Sequence, residues 1–528
     1  MKLLLKLLSI LLCIALTACG GSGSETVTTP PPSNVSLSGK LTYDHVLHAN
    51  NSGLDYNNII QSNIRGATVE LLNFSATTII NVTKSDENGN YSFSVPTSTN
   101  YVVRVKAEVN KLGDAPTWDF AVVDNTNDQA LYAMDSVIVE ARQTPIVLDI
   151  NAPSGWTGTS YTNSRVAAPF AIIDSIYEAK EKVLAVDSTV IMPPLKLNWS
   201  VNNIAVSGDL TAGQITTSHF NGTDIYLLGD ENSDTDEYDG HVIVHEWGHY
   251  FEDRFSRSDS IGGAHSSSDR LDMRVALGEG WGNALSGIVT DDPIYRDSFG
   301  SGQSVGFQID VESSSSSSVG WYSESSVALL IYDFYDANND GADTLSLGFA
   351  PLYNLMISGQ KNTLALTSVF SFVNQLKNVS PVNIAVIDSM LAAQNIVVTD
   401  DFGSGESNTG GDARNIPIYQ VLPVGGSVEV CSYASNGLLN KLGNRKYLIL
   451  DIASSGSYSI TAVGQTTGDD PDFFLFSQGS LVFRGDIVGN ESITRNINSG
   501  RYVMEVYEFG NIQTNPRDTC IDVAISAN

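Results

Sequence analysis

The chain has 528 residues, of which 42% are hydrophobic and 9% are aromatic. This length and apolar content exclude a single small module and a disordered chain, and they predict several packed domains. The 28 lysines and arginines against 59 aspartates and glutamates give a net charge of −31, which excludes binding to nucleic acid or anionic lipid through a general basic surface.

The N-terminus has the pattern of an export signal. Lys2 and Lys6 flank the start of an apolar stretch that is too short for a comfortable membrane-spanning helix. The string Leu-Thr-Ala-Cys that ends at Cys19 resembles the lipobox of bacterial lipoproteins. The resemblance implies cleavage after residues 1–18, attachment of lipid such as palmitate to Cys19, and, because Gly20 follows, an outer-membrane location in a Gram-negative bacterium. The alternative is an ordinary or uncleaved signal in which Cys19 is incidental.

A tether and a β-rich region come next. Residues 19–34 are rich in Gly, Ser, Thr and Pro and predict a flexible tether. Residues 35–150 contain alternating apolar runs separated by turn residues, which predict a β-sandwich with an extension. The strings at 66–71, 85–93 and 101–105 resemble the carboxypeptidase-regulatory-like (transthyretin-like) β-sandwich, which implies a folding or spacer module.

Residues 155–400 predict an α+β domain whose C-terminal half is mainly helical, because apolar positions recur there with helical spacing. This region contains the string His245-Glu246-Trp-Gly-His249. On a helix the two histidines project from one face one turn apart, a spacing that lets two imidazole nitrogens bind one zinc ion. Glu246 lies beside such a metal, where a carboxylate can take a proton from water. Asp239 is placed to cap this helix. The alternative is a helix whose histidines lie in a core or at the surface.

A second helical run contains Gly278-Glu279-Gly280-Trp281. The HExxH motif followed by a glutamate on a later helix resembles the gluzincin metallopeptidases, and the Glu-Gly-Trp string resembles the fungalysin-type signature. The resemblance implies a zincin-like domain with His245, His249 and Glu279 as ligands of one Zn²⁺, Glu246 as the general base, and a fourth position left open for water. Asn283 stands where the family commonly has an Asp that hydrogen-bonds a ligand histidine, so its acceptor brings no charge. The alternative for Glu279 is a helix-start carboxylate that serves only the helix dipole.

The sequence offers several candidates for two further features of a peptidase site, the oxyanion donor and the strand that pairs with substrate. An oxyanion needs a hydrogen-bond donor besides the metal, and the candidates are His265, Tyr295 and Tyr322. His265 is alternatively a surface-loop residue and Tyr322 a core residue. A strand at 225–228 or 215–219 is expected to pair with extended substrate, as the edge strand of gluzincins does. The Gly-x-Met-Glu-Asn motif of the aminopeptidase branch does not occur in the sequence, which favours an endopeptidase.

Two acidic stretches are candidates for Ca²⁺. Residues 230–239 hold a dense run of carboxylates, which predicts a solvated loop or, alternatively, a structural calcium site. Residues 336–343 have the oxygen spacing of a calcium loop, but Leu347 stands where a bidentate Glu belongs. This second stretch therefore favours a helix-ending turn over a partial calcium site.

The C-terminal part of the chain is again β-rich. Residues 401–416 form a polar, Gly-rich linker, and residues 417–528 predict strands. The strings at 470–476 and 499–506 resemble the bacterial pre-peptidase C-terminal domain, a small β-sandwich often attached to secreted peptidases.

Cys431 and Cys520 both lie in this last segment. In an exported chain this predicts a disulfide, the alternative being two free buried thiols.

These patterns together predict a multidomain, exported, lipid-anchored zinc peptidase that acts on protein or peptide substrates and contacts a membrane through its N-terminal lipid. A non-catalytic surface binding or scaffold lipoprotein with a structural zinc site is the alternative from another class. A self-processing or accessory peptidase with one partner is a narrower alternative. Glu246, which metal binding alone does not need, favours an enzyme.

Overall fold

The computed structural model of the chain describes residues 34–313, 318–338 and 344–528. The predicted signal peptide, Cys19 and nearly all of the predicted tether lie outside the described residues, as do residues 339–343 of the second acidic stretch. None of the helices in the described part has both the length and the apolar character that crossing a membrane requires.

The region predicted to be a β-sandwich consists of strands. They are β1 Asn34–His48, β2 Leu54–Asn63, β3 Ala67–Asn73, β4 Ile79–Lys84, β5 Asn90–Pro96, β6 Asn100–Lys111, β7 Trp118–Asp124, β8 Ala130–Leu131, β9 Ala133–Asp135, β10 Val139–Glu140, β11 Ile146–Val147 and β12 Ile150–Ala152. Strand β5 buries Tyr91, Phe93 and Val95 and exposes the residues between them, the period of two that predicts a half-buried strand. Long strand β1 pairs with β2, β5, β11 and β12 in a five-stranded sheet.

The following region mixes helices with short strands. Its helices are α1 Ala168–Leu184, α2 Gly240–Phe255, α3 Met273–Thr290, α4 Glu324–Tyr335, α5 Phe349–Leu355, α6 Val369–Val379 and α7 Ile384–Ala393. Its strands are β13 Leu195–Trp199, β14 His219–Phe220, β15 Ile225–Leu227, β16 Gly229–Asp230, β17 Asp234–Thr235, β18 Ile294–Phe299 and β19 Val305–Asp310. Helix α3 buries all of its residues except its last, and it packs against α2 and α4 at the centre of the region.

One sheet crosses the predicted boundary between residues 150 and 155. Its strand order is β14-β15-β13-β7-β6-β3-β4, and β13 pairs in parallel with β7. A single hydrophobic core also extends from Leu37 on β1 through α2 and α3. The predicted β-sandwich region and the mixed region therefore share a sheet and a core. Alternation of residues within one strand does not show which other strand it pairs with, so the sequence pattern could not reveal this shared sheet.

The C-terminal strands form a β-sandwich with a core of its own. They are β20 Tyr419–Val421, β21 Ser427–Ser432, β22 Arg445–Ile452, β23 Gly456–Gly464, β24 Pro471–Ser477, β25 Ser480–Gly485, β26 Glu491–Ile497, β27 Gly500–Glu508 and β28 Thr519–Ala527. Two sheets, ordered β20-β22-β27-β24-β25 and β21-β28-β23-β26, enclose an apolar layer that includes Leu448, Phe473 and Ile521. Cys431 and Cys520 lie opposite each other on β21 and β28 and are joined by a disulfide. The structure thus shows a multidomain chain with β-sandwich and mixed helical parts. At this coarse level it agrees with the prediction from the sequence.

Candidate active site

Helices α2 and α3 approach closely because glycines lie where they cross. A methyl group on Gly248 would lie 3.0 Å from the Cα atom of Gly282, and one on Gly282 would lie 2.9 Å from the imidazole of His245. Larger residues at these two positions would push the helices apart. The absence of side chains there lets Glu279 on α3 reach the histidines of α2.

Three side chains from these helices place their polar atoms together. The Nε2 atoms of His245 and His249 are 3.1 Å apart. The Oε2 atom of Glu279 lies 3.2 Å from Nε2 of His245 and 3.5 Å from Nε2 of His249. The two histidines come from one face of α2, and the carboxylate comes from α3.

This cluster fits a tetrahedral zinc ion. Zinc bonds of 2.0–2.2 Å at tetrahedral angles place neighbouring ligand atoms about 3.3–3.6 Å apart. The three observed separations, 3.1–3.5 Å, are close to that value. Two imidazoles and one carboxylate also form a donor set that catalytic zinc uses.

Asn283 occupies the predicted supporting position. Its Oδ1 atom accepts a hydrogen bond of 2.9 Å from Nδ1 of His245. A proton on Nδ1 leaves the lone pair of Nε2 free to face the cluster, so Asn283 fixes the tautomer that a metal ligand needs.

Glu246 stands apart from these three donors. It is 8% exposed, and its Oε2 atom accepts a hydrogen bond of 2.7 Å from the backbone N–H of Phe220. Phe220 belongs to β14, the last strand at this end of the ten-stranded sheet. The prediction of an edge strand at 225–228 is therefore wrong, since β15 is covered by β14. The other predicted range, 215–219, ends one residue short of Phe220.

Two of the three predicted hydrogen-bond donors lie beside the cluster. Nε2 of His265 is 3.2 Å from Oε2 of Glu279, and Nδ1 of His265 is 2.8 Å from Oε2 of Glu324. The ring of Tyr295 lies 6.2 Å, centroid to centroid, from that of His245. The hydroxyl of Tyr322 instead donates to the backbone oxygen of Val319, within a buried packing position, so this candidate is not directed at the cluster.

The charges of the cluster are strongly coupled. Burial raises the pKa of Glu279, but the charge of His249 and hydrogen bonds from the histidines outweigh it and hold this pKa well below its ordinary value. Burial lowers the pKa of His249, but the carboxylate of Glu279 raises it to about 9. Metal ligands must be deprotonated, so binding of a cation by this cluster would release protons.

The acidic run before α2 forms a second cluster. Asp234 and Asp236 bring carboxylate oxygens within 4.8 Å of one another and of Asp297 on β18. Asp239 does not cap α2 as predicted: its carboxylate accepts hydrogen bonds from the N–H of Ser298 at 3.0 Å and pairs with His48 at 2.7 Å. These tertiary partners compete successfully with the helix N–H groups. Calcium at either acidic stretch stays a prediction.

Comparison with known families gives one match. Residues 200–371 match the Mycolysin C-terminal domain. The matched segment is about a third of the chain and contains both α2 and α3. This segment is therefore similar to a domain of mycolysin-type peptidases. No curated protein matches the chain.

Several solved structures resemble about a fifth of the chain. The pre-peptidase C-terminal domain of collagenase from Bacillus anthracis is 13% identical, with 20% of this chain and 93% of that one covered and a TM-score of 0.17. The surface-associated copper-binding protein CorA of Methylomicrobium album BG8 is 10% identical, with 21% and 98% covered and a TM-score of 0.17. A protein from Pseudomonas aeruginosa described as a carbohydrate-binding protein is 12% identical, with 24% and 94% covered and a TM-score of 0.14.

Three groups at the two clusters were not found by sequence reasoning. The backbone N–H of Phe220 carries no side-chain signal. Glu324 lies at the start of α4, where a carboxylate ordinarily serves the helix dipole. Asp297 lies on the same strand face as Tyr295 and Phe299, and a charged residue between these two aromatic residues was the signal that could have identified it.

Proposed function

We propose that this chain is a zinc-dependent peptidase, and specifically an endopeptidase, with His245, His249 and Glu279 as the ligands of one Zn²⁺. The observation that supports this most directly is the near-tetrahedral spacing of three donors, with a second carboxylate, that of Glu246, beside them but outside their set. A purely structural zinc site has no use for that carboxylate. When bound, the metal would act as a Lewis acid toward water and the scissile carbonyl.

Glu246 is the general base and then the general acid. It takes a proton from the attacking water and delivers it to the leaving amine. The hydrogen bond from the N–H of Phe220 holds one carboxylate oxygen and leaves the other to make this transfer. Because Phe220 lies on the edge strand, extended substrate that pairs with β14 would be brought directly to Glu246.

His265 and Tyr295 are proposed as the groups that face the developing oxyanion. Hydrogen bonding to Glu324 fixes the imidazole of His265 with its Nε2 atom 3.2 Å from Oε2 of Glu279, at the edge of the proposed metal cluster. Burial, with the charges of Asp297 and Glu246, raises the pKa of Tyr295, so its hydroxyl stays a neutral donor at physiological pH.

The first experiment compares the wild-type chain beginning at Gly20 with Glu246→Gln. We expect both proteins to bind about one zinc per chain and only the wild type to cleave a mixed peptide library efficiently, with a loss of about 10²–10⁴-fold in the variant. Glu87→Gln, an exchange of an exposed residue in the turn between β4 and β5, is the control and should cleave like the wild type.

The other outcomes separate the alternatives. Zinc in both proteins without cleavage by either would favour the surface binding or scaffold lipoprotein. Absence of zinc from both would refute the ligand assignment. Cleavage of one partner but no library peptide would favour the self-processing or accessory peptidase.

We further propose that the chain is an exported lipoprotein of the outer membrane, anchored through lipid on Cys19. The lipobox-like string and the polar tether that follows support this placement. A lipid anchor would hold the site near the membrane while the acidic surface keeps the rest of the chain in solution.

A further inference from the structure

A long loop between the two metal-binding helices carries His265. We call residues 256–272 the histidine loop; it follows Phe255 at the end of α2 and leads into α3, which bears Glu279. A loop of this length without strands or helices stays in one place only if other parts of the chain hold it. Helix α4 provides one support, since Glu324 contacts His265 at 2.8 Å.

The C-terminal β-sandwich provides the second support. Its turn at residues 440–442 lies against the histidine loop on both sides of His265. Nδ2 of Asn440 donates to the backbone oxygen of Gly262 at 2.8 Å, and Nζ of Lys441 donates to that of Ala264 at 2.7 Å. The same Nζ lies 3.4 Å from a carboxylate oxygen of Asp269, beyond His265.

The backbone of the turn also pairs with the end of the loop. The N–H of Leu442 donates to the oxygen of Arg270, and the N–H of Asp272 donates to the oxygen of Asn440, each at 2.8 Å. Leu271 and Lys441 thereby form an antiparallel bridge where the chain enters α3. The direction in which α3 starts is therefore defined by the C-terminal sandwich.

A buried ion cluster fixes the first turn of α3 to the same sandwich. Arg274, 2% exposed, lies 2.8 Å from Glu505 on β27 and 3.0 Å from Asp272. Tyr447 on β22 donates a hydrogen bond to Asp272. Separation of the sandwich would break the ion pair of Arg274 with Glu505 and the hydrogen bond from Tyr447 to Asp272, and the loss of such contacts from a buried cluster is unfavourable.

We propose that the C-terminal β-sandwich is part of the active site rather than a removable appendage, with Lys441 and Asn440 as positioning residues that hold the histidine loop. Their side chains act through His265, which stands between the turn's contacts, whereas the start of α3 is held separately by the backbone pairing and by Arg274. The role of His265 itself rests on the proposed peptidase function, whereas the ordering of the loop does not.

The test uses the full chain from Gly20 with Lys441→Ala, Asn440→Ala and the control Lys446→Ala. Lys446 is a buried lysine of the same sandwich whose ammonium group contacts Arg414 and Asn415 rather than the loop. Hydrogen–deuterium exchange of residues 262–272 is the first readout. We expect faster exchange there in the first two variants, and exchange like that of the wild type in the control, even if the control lowers the melting temperature.

Kinetics then separate positioning from general destabilisation. We expect Lys441→Ala to lower kcat about 10-fold with KM and zinc affinity little changed, because misplacement of a catalytic neighbour affects the transition state. In a His265→Ala background the same exchange should lower kcat no further.

Three results would overturn the proposal: unchanged exchange of the loop in both variants, additive losses of kcat in the double variant, or an equal loss of kcat in Lys446→Ala. A wild-type chain that cleaves nothing would refute the peptidase function instead. In that case the exchange measurement still decides whether the sandwich holds the loop.

Discussion

Three residues of the candidate site are each fixed by a neighbour outside the metal-binding cluster. Asn283 orients His245, the backbone of Phe220 holds Glu246, and Glu324 holds His265. Such supporting contacts determine ring tautomers and carboxylate orientation before any metal or substrate arrives. The neutral amide of Asn283 supplies the hydrogen-bond acceptor. The gluzincins, which the sequence resembles, commonly have an aspartate at this position, and Asn283 lacks its charge.

At this scale we predict that Asn283→Ala weakens zinc binding by about 10–100-fold, because the lost acceptor leaves the tautomer of His245 undetermined. Asn283→Asp should bind zinc at least as tightly as the wild type, since a carboxylate still accepts from Nδ1. Competition with a fluorescent chelator measures both constants without reference to activity. Equal zinc affinity of Asn283→Ala and wild type would contradict the supporting role.

At the scale of elements, strands β17 and β18 bring acidic side chains together next to α2. Burial first, and then the charge of Asp239, raises the pKa of Asp234 to about 7. Burial and the charges of Asp239 and Asp234 likewise raise the pKa of Asp297 to about 8. Both carboxyl groups therefore favour the protonated form in the folded chain, whereas in the unfolded chain they ionise near pH 4.

This difference predicts how stability depends on pH. Between about pH 4 and pH 8 the folded chain binds more protons at these two carboxyl groups than the unfolded chain does. The free energy of unfolding therefore falls as the pH rises. The contribution of the two groups is complete at the acid end of this range and is lost once the pH has passed about 7 to 8. Asp297→Asn should flatten the fall in melting temperature between pH 5 and pH 8, and the exposed exchange Asp114→Asn should not. Calorimetry across this range is the measurement, and the same slope in both variants would contradict the cluster's role. Calcium bound here, which is the alternative that the acidic run leaves open, would remove the slope in the wild type when millimolar CaCl₂ is added.

At the scale of the whole molecule, β-rich segments support the candidate site from both ends of the chain. Strand β7 of the N-terminal region pairs with β13, and through β15 this pairing leads to the edge strand that holds Glu246. The C-terminal sandwich meets the histidine loop and the start of α3. The helical region is therefore contacted by both β structures, by one through a shared sheet and by the other at the histidine loop and the start of α3.

The predicted anchor is tested on the whole chain in a Gram-negative host. Cys19→Ser should abolish labelling with a palmitate analogue and remove the protein from the outer-membrane fraction, because a chain without the cysteine cannot receive lipid. Cys13→Ser, which lies within the predicted signal, should leave both unchanged. Membrane retention of an unlabelled wild type would contradict lipidation and favour an uncleaved signal.

The sequence alone determined the features that depend on neighbours along the chain. Helical spacing of His245 and His249 places both on one face of α2, and alternation in residues 91–95 gives strand β5. The position of Asn283 one turn after Glu279 likewise follows from helix geometry. Each of these is set within one or two turns or one strand, where periodicity and propensity decide.

The tertiary structure decided everything that joins distant segments. Three examples depend on contacts between residues tens to hundreds of positions apart. Strand β14 forms the edge of the sheet and holds Glu246, and the carboxylate of Asp239 bonds to Ser298. The turn at 440–442 meets the loop of His265. Every residue except proline has a backbone N–H group, so the sequence does not show which of these groups binds a side chain. An aspartate that caps a helix likewise cannot be told from one that pairs with a histidine by the sequence alone. Packing in three dimensions selects among these partners, because a buried polar group must be satisfied by whichever donor the fold brings within reach.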